Sequence, residues 1–129
     1  MKKVIYSMFI VCFLHACNFS DEQIKLSGGW IFVTEGKHEK VLDGGGIFIP
    51  CEVTDYQYND DFIIASQKPT SECFLGNDTF KYKYGKDSTY YWLVIHTSDE
   101  LLGPLTKEEY LKVRMKYNVP ETLRLKETY

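Results

Sequence analysis

The sequence predicts an α+β domain: an antiparallel meander sheet of about five to six strands with one C-terminal amphipathic helix packed on it. Three observations lead there. Runs of β-branched and aromatic residues recur between Trp30 and Ile95, each bounded by glycine, asparagine, aspartate or proline, the punctuation of short strands. One of these runs, Tyr90 to Ile95, is apolar on both faces, as expected of a central strand covered on one side by a further element, here the helix that follows. A single segment, opening at Thr106, carries a complete helix-start signature.

In chain order, Gly28-Gly29 introduces Trp30 to Thr34, β-branched and aromatic throughout and therefore a strand. Gly36 begins a polar stretch, after which Val41-Leu42 forms a short second strand. Asp43-Gly44-Gly45-Gly46 offers successive backbone N–H groups. It lacks the Lys-Ser/Thr and the following helix of a phosphate-binding loop, so it reads as a flexible loop. Ile47-Phe48-Ile49 meets Pro50, which places it at an edge or a strand end. Val53 to Tyr58 and Phe62 to Gln67 flank Asn59-Asp60-Asp61 and form the clearest hairpin. Lys68 to Asn77 is a loop. Phe80, Tyr82 and Tyr84 alternate with Lys81 and Lys83, the period-two pattern of a strand with one buried face.

Gly103-Pro104-Leu105 leads into Thr106-Lys107-Glu108-Glu109, where Thr106 and Glu109 satisfy orphan N–H groups reciprocally, and Leu105 and Tyr110 stand as a hydrophobic staple. The helix runs to about Tyr117, where Asn118 and Pro120 stop it. Tyr110, Val113 and Tyr117, with Leu111 and Met115 beside them, face the sheet, and Lys107, Lys112 and Lys116 face water. Leu123 and Leu125 alternate with charged residues and suggest a short edge strand.

The first seventeen residues, MKKVIYSMFIVCFLHAC, are of another kind. Lys2 and Lys3 form a basic start, Val4 to Leu14 is a short apolar run, and Leu14-His15-Ala16-Cys17 closes it. These are the parts of a secretory signal, and the run is too short to span a hydrocarbon core about 30 Å thick. Cysteine after Leu-x-Ala resembles a bacterial lipobox, which implies cleavage before Cys17 and diacylglycerol on its thiol. His15 stands where such a motif usually has a small residue. Ordinary secretion with cleavage after Ala16 would instead leave Cys17 as a free thiol. Stable anchoring takes two acyl chains or more, and a diacylglyceryl group supplies them. The chain thus divides into a signal peptide at 1–16, a polar tether at 17–27 and a single domain at 28–129. Asp21 and Glu22, just past the acylated cysteine, resemble an outer-surface export cue or are simply a solvated linker.

The formal charge of −3 becomes more negative once Lys2 and Lys3 leave. A mildly acidic domain has no electrostatic footprint for nucleic acid. Ten Tyr, eight Phe and two Trp supply enough large apolar surface for a real core at this length. After Cys12 leaves with the signal and Cys17 is acylated, Cys51 and Cys73 remain in an oxidising space. They form either a disulfide, worth roughly 3 kcal/mol for a loop of about twenty residues, or two separate buried thiols. A zinc site wants four ligands, so no metal or other cofactor is implied.

Several segments resemble a family of short bacterial lipoproteins catalogued as a domain of unknown function. They are Ile49-Pro50 with Val53, Phe62 to Gln67, Tyr91 to Ile95, Gly103 to Tyr110, Asn118-Val119-Pro120 and Leu123 to Lys126. The resemblance implies a lipoprotein and supplies no activity, and Cys51 and Cys73 lie outside its pattern.

Chemistry-bearing residues are few. His38 lies between Lys37 and Glu39 in a polar stretch and reads as solvated. His96 ends the central strand beside Asp99 and Glu100, where it could act as a general base or hold a metal. The carboxylate pairs Asp60-Asp61 and Asp99-Glu100 are neighbours in sequence, which says nothing of their separation in space. No nucleophile elbow, metal spacing or dinucleotide loop is present. Two functions follow as expectations. The first is a lipid-tethered binding or structural module, membrane-held through Cys17 and engaging an envelope protein or a glycan. The second is a small envelope hydrolase centred on His96.

Overall fold

The computed structural model describes residues 21–35, 39–73 and 80–126. The signal segment, Cys17, the first part of the tether and His38 lie outside the described residues. The elements are β1 (Asp21–Lys25), β2 (Ile31–Glu35), β3 (Glu39–Asp43), β4 (Phe48–Ile49), β5 (Val53–Tyr58), β6 (Phe62–Gln67), β7 (Tyr90–Ile95), β8 (Glu100–Leu105) and α1 (Lys107–Lys116). No described helix is long and apolar enough to cross a membrane.

The strands form two antiparallel four-stranded meanders, β1-β2-β3-β4 and β5-β6-β7-β8, rather than the single sheet of five to six strands that the sequence predicts. The chain leaves the first sheet at Pro50, which cannot donate to a continuing ladder. Burial explains the stacking. Ile63, Ala65, Trp92 and Val94 pack with Leu42 and Ile49 of the first sheet and with Trp30 just before β2. From the other face Ile64, Tyr91, Leu93 and Ile95 pack with Tyr110, Val119, Leu123 and Leu125. The second sheet is therefore the middle of three layers, and all six residues of β7 are buried. A helix alone covers one face of such a strand; the first sheet covers the other.

The hairpin of β5 and β6 stands where the sequence places it. Asn59 Oδ1 accepts from the backbone N–H groups of Asp61 and Phe62, at 2.9 and 2.8 Å, so the turn is closed by its own side chain. The capping box of α1 also forms, with Glu109 N donating to Thr106 Oγ1 at 3.2 Å and Thr106 N donating to Glu109 Oε1 at 3.0 Å. At the other end Asn118 takes φ 56°. Its N–H donates to Met115 O, and Val119 N–H donates to Arg114 O, the two bonds of a Schellman motif.

Four expectations are corrected. Residues 21 to 25, read as tether, pair along their whole length with β2; an exposed edge strand needs no apolar pattern. Phe80 to Tyr84 is not a strand. The chain turns at Gly85, whose N–H donates to Tyr82 O at 3.1 Å. The alternating aromatics plug the flank of the core instead, Phe80 edge-on to Trp92 at 5.0 Å and Tyr82 against Tyr90 at 5.0 Å. Gly103-Pro104-Leu105, taken as a lead-in to the helix, closes the edge strand β8 (Glu100–Leu105) instead, where Pro104 has no outer neighbour to disappoint. Gly103 is required there: its φ is 147° and a Cβ would meet the Trp92 indole at 2.4 Å. Leu123 and Leu125 are buried in a turn rather than an edge strand.

On the helix, Met115 is 78% exposed while Arg114 is 4% exposed, the reverse of their polarity. The Arg114 guanidinium donates to Tyr110 Oη at 2.9 Å, to Pro120 O at 3.0 Å and to Leu123 O at 2.9 Å. A buried guanidinium is tolerable only when its donors are used, and here they hold the C-terminal segment against the sheet. Cys51 and Cys73 form a buried disulfide with a Cα–Cα distance of 5.7 Å, tying the loop after β6 to the start of β5.

Candidate functional site

Among the described residues, three places stand out for side chains able to do chemistry or bind. His96 follows β7, its N–H donating to Asp61 O at 2.9 Å. Its Nε2 lies 2.8 Å from Ser27 Oγ, in the turn between β1 and β2. Gly28, at φ 63°, lies flat against the imidazole, where a Cβ would come within 2.3 Å of Nδ1. The carboxylates expected beside His96 are placed otherwise. Asp99, at φ 54°, turns the chain into β8, and Glu100 accepts from Tyr117 Oη at 3.3 Å. Asp60 and Asp61 lie in the exposed hairpin turn. Among the described residues no three of His, Cys, Asp and Glu gather as a metal site.

A serine hydroxyl against an imidazole nitrogen is the first half of a nucleophile–base arrangement. The carboxylate that would orient the ring is not supplied by Asp99 or Glu100. What the contact does mechanically is clear: it clasps a turn of the first sheet to a turn of the second. Ser27 and His96 are 69 residues apart, and nothing in the sequence near either residue announces the other.

The second place is the outward face of the first sheet. Phe32, Leu42 and Ile49 align across β2, β3 and β4 and point into the core. The pleat turns Ile31, Val33, Val41 and Phe48 the other way. They floor a cleft of about 350 Å³ whose remaining walls are Gln23, Glu35, Glu39 and Asp43. The register sets Gln23, Val33 and Val41 in one row and Glu35 opposite Glu39 in the next. The result is an apolar strip with a carboxylate end. Sequence reading found strands here without finding this face, because the polar residues of β1 and β3 conceal the alternation.

A third place is polar. Thr54, Asp55, Ser66, Lys68, Thr89, Tyr91 and Lys126 line a cavity of about 410 Å³ on the second sheet. Nearby, Gln67 is fully buried and structural: its Oε1 accepts from Trp92 Nε1 at 2.7 Å, and its Nε2 donates to Tyr82 Oη at 3.0 Å and Cys51 O at 3.3 Å. Burial raises the Tyr82 hydroxyl above its ordinary value, against the lowering effect of the Gln67 hydrogen bond, so it stays neutral in the physiological range.

Residues 19–129 match the family described as "Protein of unknown function (DUF3997)". The chain belongs to this family. The match takes in both sheets, the helix and the C-terminal segment, as well as all three places described above. No curated protein and no solved structure matches the chain. Membership places the domain among proteins of unknown function and assigns no role to Ser27, His96 or either cavity.

Proposed function

We propose that the protein is a bacterial cell-envelope lipoprotein, acylated on Cys17, that works as a tethered binding module. The observation that carries this is Leu14-His15-Ala16-Cys17 after a basic start and a short apolar run. The fold adds a constraint on how such a module sits. β1 opens at Asp21, four residues beyond Cys17, a stretch that spans at most about 14 Å. The edge of the first sheet is then held against the bilayer surface, on a leash rather than a long stalk. The apolar strip of Ile31, Val33, Val41 and Phe48, with Glu35 and Glu39 at its end, suits a partner segment presenting apolar side chains beside basic ones.

The test is fatty-acid labelling and crosslinking capture from intact cells, with a tag at Tyr129, comparing the natural chain with Cys17→Ser. The reading expects label and one stoichiometric envelope partner only when Cys17 is present. Equal membrane retention of Cys17→Ser without label overturns it.

One contact favours a second reading, a small envelope hydrolase centred on His96: the 2.8 Å approach of Ser27 Oγ to its Nε2. Ser27→Ala and His96→Ala separate the two. A hydrolase loses turnover in both variants while keeping its fold, whereas the binding module keeps its partner.

A further inference from the structure

We infer that the polar cavity on the second sheet is a binding site for an anionic sugar unit, a hydroxylated ring carrying a carboxylate. The inference concerns a site separate from the outward face of the first sheet and does not depend on acylation of Cys17. Ser66 and Tyr91 are cross-strand partners on β6 and β7, at the end of the sheet beyond the helix, and the C-terminal segment supplies the opposite wall through Lys126.

Tyr91 is the observation that points to a ligand. It is 9% exposed, its ring stacks on Tyr110 with centroids 5.1 Å apart, and it lines the cavity. Its hydroxyl makes no hydrogen bond among the described residues and is not one of their fully buried polar atoms, so it opens on the cavity, where a ligand oxygen can pair with it. Ser66, 8% exposed, forms a hydroxyl pair with Thr54 at 2.8 Å. Thr89 brings a fourth hydroxyl to the wall. Hydroxyls both donate and accept, so four on one wall match a ring whose own hydroxyls do the same.

The charge follows from what each ionic group is already doing. Both Asp55 oxygens are engaged, Oδ1 accepting from Tyr56 N at 2.9 Å and Oδ2 from Lys126 N at 2.8 Å. The Asp55 carboxylate thus fixes the wall. Lys68 and Lys126 line the same cavity, and neither ammonium has an ion-pair partner among the described residues. Two free ammonium groups against one committed carboxylate select an anion. The cavity is within the size range of sites for small ligands, roughly 300–1,000 Å³.

The full chain, purified in detergent, is titrated with glucuronate, with glucose as its neutral counterpart, with inorganic phosphate, and with a glucuronate oligomer. Saturation-transfer NMR and calorimetry read the binding. Glucuronate binds, and glucose binds at least about tenfold more weakly, the scale of one charge-assisted contact. Tyr91→Phe keeps the stack on Tyr110 and weakens glucuronate about fivefold, the size of one hydrogen bond. Lys68→Ala weakens it similarly and flattens its salt dependence. Tighter binding of the oligomer identifies a polysaccharide source, and equal binding per unit a free sugar acid. The inference is overturned if glucose binds as well as glucuronate, if phosphate competes as well, if Tyr91→Phe and Lys68→Ala bind as the natural chain does, or if no probe binds a chain with native circular dichroism. The Cys17→Ser chain binds with unchanged affinity, so failure of the lipoprotein reading and failure of this one are told apart.

Discussion

The two sheets have the same strand count, the same antiparallel meander and opposite environments. The second, β5 to β8, is enclosed between the first sheet and the helix layer, and every residue of β7 is buried. The first, β1 to β4, turns one face to the core and lines a cleft with the other; on β2 only Val33, at the floor of that cleft, is buried. A sheet enclosed on both sides carries the stability of a domain, while a sheet with a cleft on one face has surface for recognition. Amide exchange tests this directly: the slowest amides lie in β6 and β7, and β1 exchanges fastest among the strands.

Substitutions sharpen the contrast. The largest effect comes from Trp92→Ala in β7, which empties a site of zero exposure and strips Gln67 of its indole partner. It costs about 3–5 kcal/mol in urea unfolding, while Val41→Ala on the outward face of the first sheet costs about 1 kcal/mol or less. Equal losses at the two positions would break the comparison.

Replacing Cys51 and Cys73 together by Ala costs about 3 kcal/mol, since the bond closes a loop with a sequence separation of 22. The loss is read by unfolding with and without reductant: reductant destabilises the natural chain and leaves the double variant unmoved. Arg114→Ala comes next. It removes the bonds that the guanidinium donates to Tyr110 Oη and to the carbonyls of Pro120 and Leu123, costing about 2 kcal/mol and loosening protection in the C-terminal segment. Arg114→Lys does not restore it, because an ammonium cannot reproduce the fork.

Thr106→Ala has the smallest effect, about 1 kcal/mol from the lost cap. Hydrogen bonds from the Thr106 backbone and then its side chain hold the Glu109 carboxyl below its ordinary value. A depressed folded value means that the stabilisation is present above the unfolded carboxylate range, around pH 4–5. It is lost as pH falls through the lowered value. Glu109→Gln therefore flattens the acid limb of the stability profile, and an unchanged limb would show that the box is not formed.

How much of this was legible depends on distance along the chain. The β5–β6 hairpin was readable because Asn59 makes its two turn bonds within three residues. The capping box was readable because Thr106 and Glu109 are three apart. The aromatic alternation of Phe80, Tyr82 and Tyr84 was visible, but burial against Trp92 and Tyr90 produces the same pattern as strand pairing. The strand at Asp21–Lys25 was invisible because its edge position leaves Glu22 to Lys25 exposed. Of the candidate sites, His96 was singled out from sequence, its true partner Ser27 was not, and the polar cavity joins residues from Thr54 to Lys126.

The α+β class, the hairpin, the capped helix and a wholly apolar central strand at β7 follow from the residues alone. Each rests on hydrogen bonds closed within a turn or on apolar periodicity within one strand, interactions whose partners are near neighbours. The division of the strands into two sheets, the meeting of Cys51 with Cys73, the burial of Arg114 and the Ser27–His96 clasp emerge only when the layers pack. Those partners are brought together by the packing of layers, and a contact between distant residues is specified by the whole core rather than by the residues that make it.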